Sequence, residues 1–293
     1  MSAQLLSVHD QQAQPSWLHR SALILLLFAG SCIAFLPFAF YPLIPEGVRP
    51  YLWSATTAAL LTAALLARRS PRFQPYWMAI YALFAASAAN LADWYLNNWL
   101  PALFGVPVRS PAGNGLALLE STLVVSICII ALIKLAGGDL GSLLLKRGKV
   151  KWWLPIGVAG FVFFALTVIP AATGLFQGRE LTLERMLPWL PWVLLFVLSN
   201  GVREELWFRG LLLPRFGPLI GGWPAVLVTS LVFALAHVSV TYTPELLFFL
   251  GITFVLGAIF GTLAYKTDSL WGAVLFHAGA DIPVVVGIFS TMT

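Results

Sequence analysis

The stretch Arg203-Glu204-Glu205-Leu206-Trp207-Phe208-Arg209 sits in an otherwise apolar run, with Trp192-Val193-Leu194-Leu195-Phe196-Val197-Leu198 before it and Gly210-Leu211-Leu212-Leu213 after it. Four ionisable side chains fall within seven residues. Charge at membrane depth is expensive and survives where it faces a partner or a wet cavity. His237, His277 and Asp281 recur downstream in equally apolar surroundings. Costly groups on neighbouring apolar segments are best explained by a shared region. Carboxylates and imidazoles sharing one region are the ingredients of acid–base chemistry.

Composition sets the medium. The chain has 293 residues, of which 59% are hydrophobic and 10% charged, and its mean hydropathy is +0.87. A soluble domain carries about 25% charged residues, so the reading is an integral membrane protein. The cations fall in short loops, where they set topology, and the +5 net charge does not indicate a nucleic-acid partner. The bilayer is the implied surrounding. Most of the 12 Trp, Trp53 and Trp189 among them, lie near segment ends, the pattern of an interfacial belt. Cys32 and Cys128 fall within apolar spans and read as small hydrophobes.

Apolar runs long enough to cross about 30 Å are predicted at 21–44, 51–67, 75–96, 115–135, 152–176, 189–213, 223–240, 245–265 and 269–290. The expected fold is therefore all-α and polytopic, with about nine spans (eight to ten), and an interfacial helix is expected within 97–114. Arg68, Arg69 and Arg72 follow the second span, and Lys146, Arg147, Lys149 and Lys151 lead into the fifth. Both loops follow even-numbered spans, which orients the N-terminus to the cytoplasm. Three regions result: a polar tail over 1–20, membrane helices of unassigned role over 21–185, and a region over 186–293 holding all the candidate chemistry. Asp93, Glu120 and Lys134 are read as lying near span ends. The site is expected in the cytoplasmic half, in a cavity open to water.

Adjacent helical residues point about 100° apart, so Glu204 and Glu205 take different tasks. Glu205 and Arg209 are four apart with the acid first, the favourable order for an ion pair. Glu204 is left on a face with Trp207 and Phe208, where it can accept a proton from water. His277 and Asp281, also four apart, share a face of the last span. Each feature has a plainer reading: a snorkelling charge cluster, a hydrogen-bonded interhelical His237, a self-satisfying His–Asp pair.

The three clusters together resemble the CAAX-protease and bacteriocin-processing (CPBP) family of intramembrane proteases. The family's E-E-x-x-x-R is matched by Glu204, Glu205 and Arg209, its F-x-x-x-H by Phe233 and His237, and its H-x-x-x-Asn/Asp by His277 and Asp281. The resemblance covers roughly 185–290. It implies a membrane-embedded endopeptidase acting on a membrane-associated protein or peptide. Glu204 and His237 would activate water, His277 and Asp281 would stabilise the oxyanion, and Glu205 and Arg209 would hold the site together. Where the family has Asn, Asp281 could donate to an oxyanion only when protonated, or it could orient His277. No cofactor is required by this reading. Zinc held by Glu204, His237, His277 and Asp281 is the alternative, disfavoured by the absence of an H-E-x-x-H sequence. The alternative function is a non-proteolytic immunity protein or membrane scaffold with partner membrane proteins. A proton-coupled transporter is a third, against which the chain shows no two-half symmetry.

Overall fold

The computed structural model describes residues 17–292, so most of the predicted polar tail lies outside the described residues. The fold is all-α. Its helices are α1 Trp17–Ala39, α2 Arg49–Arg69, α3 Trp77–Tyr95, α4 Trp99–Leu103, α5 Pro111–Leu135, α6 Val150–Leu166, α7 Val168–Leu175, α8 Leu183–Met186, α9 Leu190–Glu205, α10 Leu213–Ile220, α11 Gly222–Ala236, α12 Leu246–Thr267 and α13 Trp271–Ser290. A π-helical turn, Leu206–Leu212, joins α9 to α10, and the rod from Leu183 to Ile220 runs without a break. The one-turn α4 falls where an interfacial helix was expected.

Each predicted span finds a helical rod, yet not all are long and apolar enough to cross a membrane. Six are, by length and composition, or seven if the bent pair α6–α7 counts as one span. The predicted count of nine is therefore not reached on that criterion. The α11 helix has only 15 residues, about 22 Å at 1.5 Å per residue. The α3 helix is rich in alanine and buries Ala79, Ala82, Ala85, Ala86 and Ala89 in the bundle. The 68° bend between α6 and α7 has a covalent cause: Pro170 has no N–H to give to Leu166, so the helix breaks at Thr167.

Contacts between loops sort the bundle into two ends. At one, Lys149 N–H donates to Thr267 O at 2.8 Å and Leu270 N–H to Leu144 O at 3.1 Å, while Arg20 Nε donates to Ile220 O at 2.7 Å. At the other, Arg185 Nη2 donates to Ser290 O at 3.2 Å, and the Phe176 ring meets Tyr242 at 6.2 Å. Consecutive rods thus run up and down between a 70–76/136–149/267–271 end and a 40–48/96–110/176–182/237–245 end.

Small residues let the rods that carry the site approach closely, as is usual where lipid offers no hydrophobic drive for association. A Cβ on Gly279 of α13 would stand 2.4 Å from Phe161 Cα, and one on Gly160 of α6 would stand 2.5 Å from the Phe276 ring. Gly279 therefore tolerates no side chain without parting α6 from α13. Gly279→Val is expected to destabilise the protein by about 1–3 kcal/mol, the usual range for overpacking, seen as a lowered midpoint of thermal unfolding in detergent.

Two tryptophans assigned to the interfacial belt are core residues instead. Trp53 is 2% exposed; it stacks on Phe38, meets Trp94 edge-on and donates Nε1–H to Pro37 O at 3.0 Å. Trp189, also buried, packs edge-on against Phe289. Position near a helix end does not imply the lipid interface when neighbouring helix ends converge on the ring.

Candidate active site

The π-helical turn is where the local sequence shapes the site. Pro214 lacks the N–H that an α-helix would give to Gly210 O, leaving that carbonyl to seek another donor. Arg215 Nη1 supplies it at 2.8 Å and also reaches Leu211 O at 3.2 Å. The widened turn begins directly after Glu205 and contains Arg209, and such turns are frequent at functional sites.

Glu205 and Arg209 form the ion pair expected from their spacing, Oε1 to Nη1 at 2.7 Å with both side chains fully buried. Arg209 Nη2 also donates to Gly257 O of α12 at 2.7 Å, and its guanidinium lies 4.7 Å from the centre of the Phe233 ring. The same Glu205 Oε1 takes a second contact that spacing could not reveal: His277 Nδ1 lies 2.8 Å from it. A carboxylate only accepts, so Nδ1 carries the proton. His277 is further fixed by stacking on Phe260, centroids 4.8 Å apart and planes at 14°, and by an edge contact with Phe233 at 5.5 Å.

His237 caps the C-terminal end of α11. Its Nδ1 lies 2.8 Å from Phe233 O, so Nδ1–H donates to the carbonyl and Nε2 presents a bare lone pair. That Nε2 is 3.7 Å from Glu204 Oε2, and His277 Nε2 is 3.5 Å from the same oxygen. Asp281 Oδ1 stands 3.6 Å from His277 Nε2. These separations exceed hydrogen bonds but suit groups bridged by one water. Glu204 Oε2 is buried with no protein partner, whereas Oε1 is held by Arg203 Nη2 at 3.3 Å. Glu204, His237, His277 and Asp281, predicted from three separate segments, thus line one cavity.

Residues that the sequence did not single out complete the surround. Asn200, one helical turn before Glu204, donates Nδ2–H to Asp281 Oδ2 at 2.9 Å. Arg203 donates to Asn200 Oδ1 at 2.7 Å and to Ser121 Oγ at 2.8 Å, and Ser121 in turn donates to Asp93 Oδ2 at 2.8 Å. The network therefore runs from α9 through α5 to α3. The chemistry is not confined to 186–293: Asp93, read as an end-of-span residue, reaches the site through two donors. Glu120, likewise read as lying near an end, is 1% exposed and accepts the Leu100 N–H at 2.6 Å.

Two cavities touch Glu204. One, about 270 Å³, is lined mostly by apolar side chains, among them Phe164, Phe176 and Phe249, with Tyr242, His237, His277 and Asp281 around its polar centre. Burial pushes the Tyr242 phenol in the 237–245 loop above its ordinary value, and the nearby Asp281 and Glu204 add to the shift, so it stays a neutral hydroxyl. The second cavity, about 260 Å³, is more polar and brings Asn90, Asp93 and Arg203 to the other side of Glu204. The carboxylate stands between an apolar chamber and a polar one.

Among the described residues, no group of three or more His, Cys, Asp and Glu side chains is arranged to hold a metal ion. The donor atoms of the alternative zinc set lie 3.5 to 3.7 Å apart, Glu204 Oε2 from His277 Nε2 and from His237 Nε2, and His277 Nε2 from Asp281 Oδ1, so were zinc bound these four residues would be the ones to hold it and it would supply a Lewis acid. No step below is routed through a metal.

Fold and site together define a polytopic all-α membrane protein with a carboxylate–imidazole centre buried between its C-terminal helices. Residues 186–283 match the family model described as Type II CAAX prenyl endopeptidase Rce1-like, in keeping with the CPBP resemblance of the motifs in that stretch. All seven motif residues lie inside the matched range. Comparison with curated proteins and with solved structures gave no match.

Proposed function

We propose that the protein is an intramembrane endopeptidase that hydrolyses a peptide bond of a membrane-associated protein or peptide, with Glu204 as general base and His237 as its partner. The observation that carries the reading is the unpartnered Glu204 Oε2 facing two imidazole Nε2 atoms at 3.5 and 3.7 Å inside an apolar cavity. A water there donates one proton to Glu204 Oε2 and the other to the His237 Nε2 lone pair. Both hydrogens being engaged, the oxygen lone pair is free to attack a carbonyl carbon. The new C–O bond forms as the carbonyl π pair moves onto its oxygen, and the water's proton passes to Glu204. His277, as an imidazolium with Nδ1–H held by Glu205 and a second proton on Nε2, points a donor at the developing oxyanion. Asp281, tethered by Asn200, keeps that ring in place. On collapse the C–N bond breaks and the amine leaves with the proton held by Glu204.

The family match supports a CAAX-type intramembrane protease in general terms, and the motif residues supply the finer assignment. The proposal is metal-free. Purified protein in liposomes is expected to cleave a membrane-tethered peptide after exhaustive chelation, with zinc measured below stoichiometry. Activity that is lost on chelation and restored by zinc would replace the general-base scheme with a metal centre on the same four residues.

A further inference from the structure

The two ends of the bundle differ in charge, and the cavities that reach Glu204 open toward one of them. At the end holding the 70–76, 136–149 and 267–271 loops lie Arg68, Arg69 and Arg72, then Lys146, Arg147, Lys149 and Lys151. Arg20 joins them through its bond to Ile220 O, as does Lys266, four residues before the turn at Leu270. The acids there are few: Asp268 is paired with Lys146 at 2.7 Å, and Asp139 accepts a backbone N–H at 2.7 Å. The opposite end is balanced, with Glu46, Glu180, Glu184 and Glu245 against Arg49, Arg109, Arg179 and Arg185. Two of its arginines are matched to these, Arg49 to Glu46 at 3.8 Å and Arg185 to Glu180 at 3.5 Å. Lys and Arg in short loops mark the cytoplasmic side.

The cavities of the site reach the opposite end. His237 is the C-terminal cap of α11, where the 237–245 loop begins, and Tyr242 of that loop lines the apolar cavity. Outward from Phe260 and His277 deeper in the bundle, that cavity is bounded by α7, the first half of α12 and α13 from Ala280 to Ile288, all segments of that opposite end. The polar cavity is bounded by Phe38 and Ala39 at the end of α1 and by Asn90 and Asp93 near the end of α3. None of the Lys or Arg side chains of the basic end lines either cavity. The cavity mouths therefore lie away from the end that the charge pattern assigns to the cytoplasm.

Building on the peptidase reading, we infer that the site opens to the non-cytoplasmic face of its membrane and takes a substrate segment presented from that face. The substrate class is an extended apolar peptide, either a juxtamembrane stretch or the released end of a membrane-anchored protein, lying outside the cytoplasm. Phe164, Phe176, Phe233 and Phe249 give it aromatic walls for apolar side chains beside the scissile bond. A lipidated tail held in the cytoplasm would meet the basic end, on the far side from Glu204.

Sidedness is measured without reference to turnover. With Cys32 and Cys128 replaced by Ala, single cysteines are introduced at exposed positions, Gln74→Cys at the basic end and Thr241→Cys beside the cavity mouth. Intact cells expressing the full chain are treated with a membrane-impermeant maleimide, and lysed cells serve as the control. Labelling of Thr241→Cys in intact cells, with Gln74→Cys labelled only after lysis, is the expected result. Labelling of Gln74→Cys in intact cells, alone or with Thr241→Cys, overturns the inference. The readout stands whether or not the protein cleaves anything. A correct sidedness with an inactive protein would therefore sink the peptidase reading alone, and reversed sidedness with an active one would sink the inference alone.

Discussion

Glu204→Gln is expected to lower peptide-bond cleavage by about 10²–10⁴, the range supplied by a positioned general base, while leaving the fold and the thermal unfolding midpoint almost unchanged. The amide is nearly isosteric with the carboxylate. Its oxygen can still accept from Arg203, which lies 3.3 Å from Oε1 in the parent protein. What Gln cannot do is take a proton from water. Neutralising this position leaves the ion pair of Glu205 and Arg209 intact, because Glu204 makes no contact with that pair shorter than those through His277. The result that separates roles is a comparison with His237→Gln. That variant loses the imidazole Nε2 that orients the water but keeps the base, so its loss should be smaller, and the double variant should be little worse than Glu204→Gln alone, as for residues that act as a unit. The assay is single-turnover cleavage of a membrane-tethered peptide in liposomes. Near-parental rates for a folded Glu204→Gln would remove Glu204 from the chemistry.

The sequence carried this site further than it carried the membrane topology. Spacing alone identified the Glu205–Arg209 pair and the common face of His277 and Asp281, because four-residue separations on a helix are local geometry. It placed Glu204 and Glu205 in different roles because adjacent residues diverge. It could not see that Glu205 meets His277, since that 2.8 Å contact spans 72 residues of sequence and depends on how α9 packs on α13. Nor could it see Asn200, Arg203, Ser121 and Asp93. Polar residues with a plausible local or interfacial excuse give no signal until partners on other helices appear. The α9 rod offered a readable clue in Pro214, whose missing N–H opens the turn that Arg215 closes. The rod begins at Leu183 and carries a π-helical turn, so residue number does not convert to depth along an ideal helix.

Arg209→Met is expected to destabilise the protein by about 3–5 kcal/mol, the cost of stranding one member of a buried ion pair, and to abolish cleavage with it. Glu205 would keep its charge in a fully buried position with only His277 to answer it, and Gly257 O would lose the 2.7 Å donor that ties α12 to the site. The pair itself contributes little net stability over a well-packed apolar substitute. Glu205→Leu combined with Arg209→Met should therefore recover much of the lost stability in the apolar cluster around Leu206, Phe208, Phe233 and Phe260. Activity should not return, because His277 Nδ1 would have lost its acceptor and with it the proton placement that aims Nε2 into the cavity. Denaturation in mild detergent reads stability, and cleavage at a temperature where the double variant is folded reads function. If the double variant is both stable and active, the pair is a packing device only. If it is stable and inactive while Glu205→Gln with Arg209 intact keeps partial activity, the Glu205–His277 contact is what connects the structural pair to the chemistry.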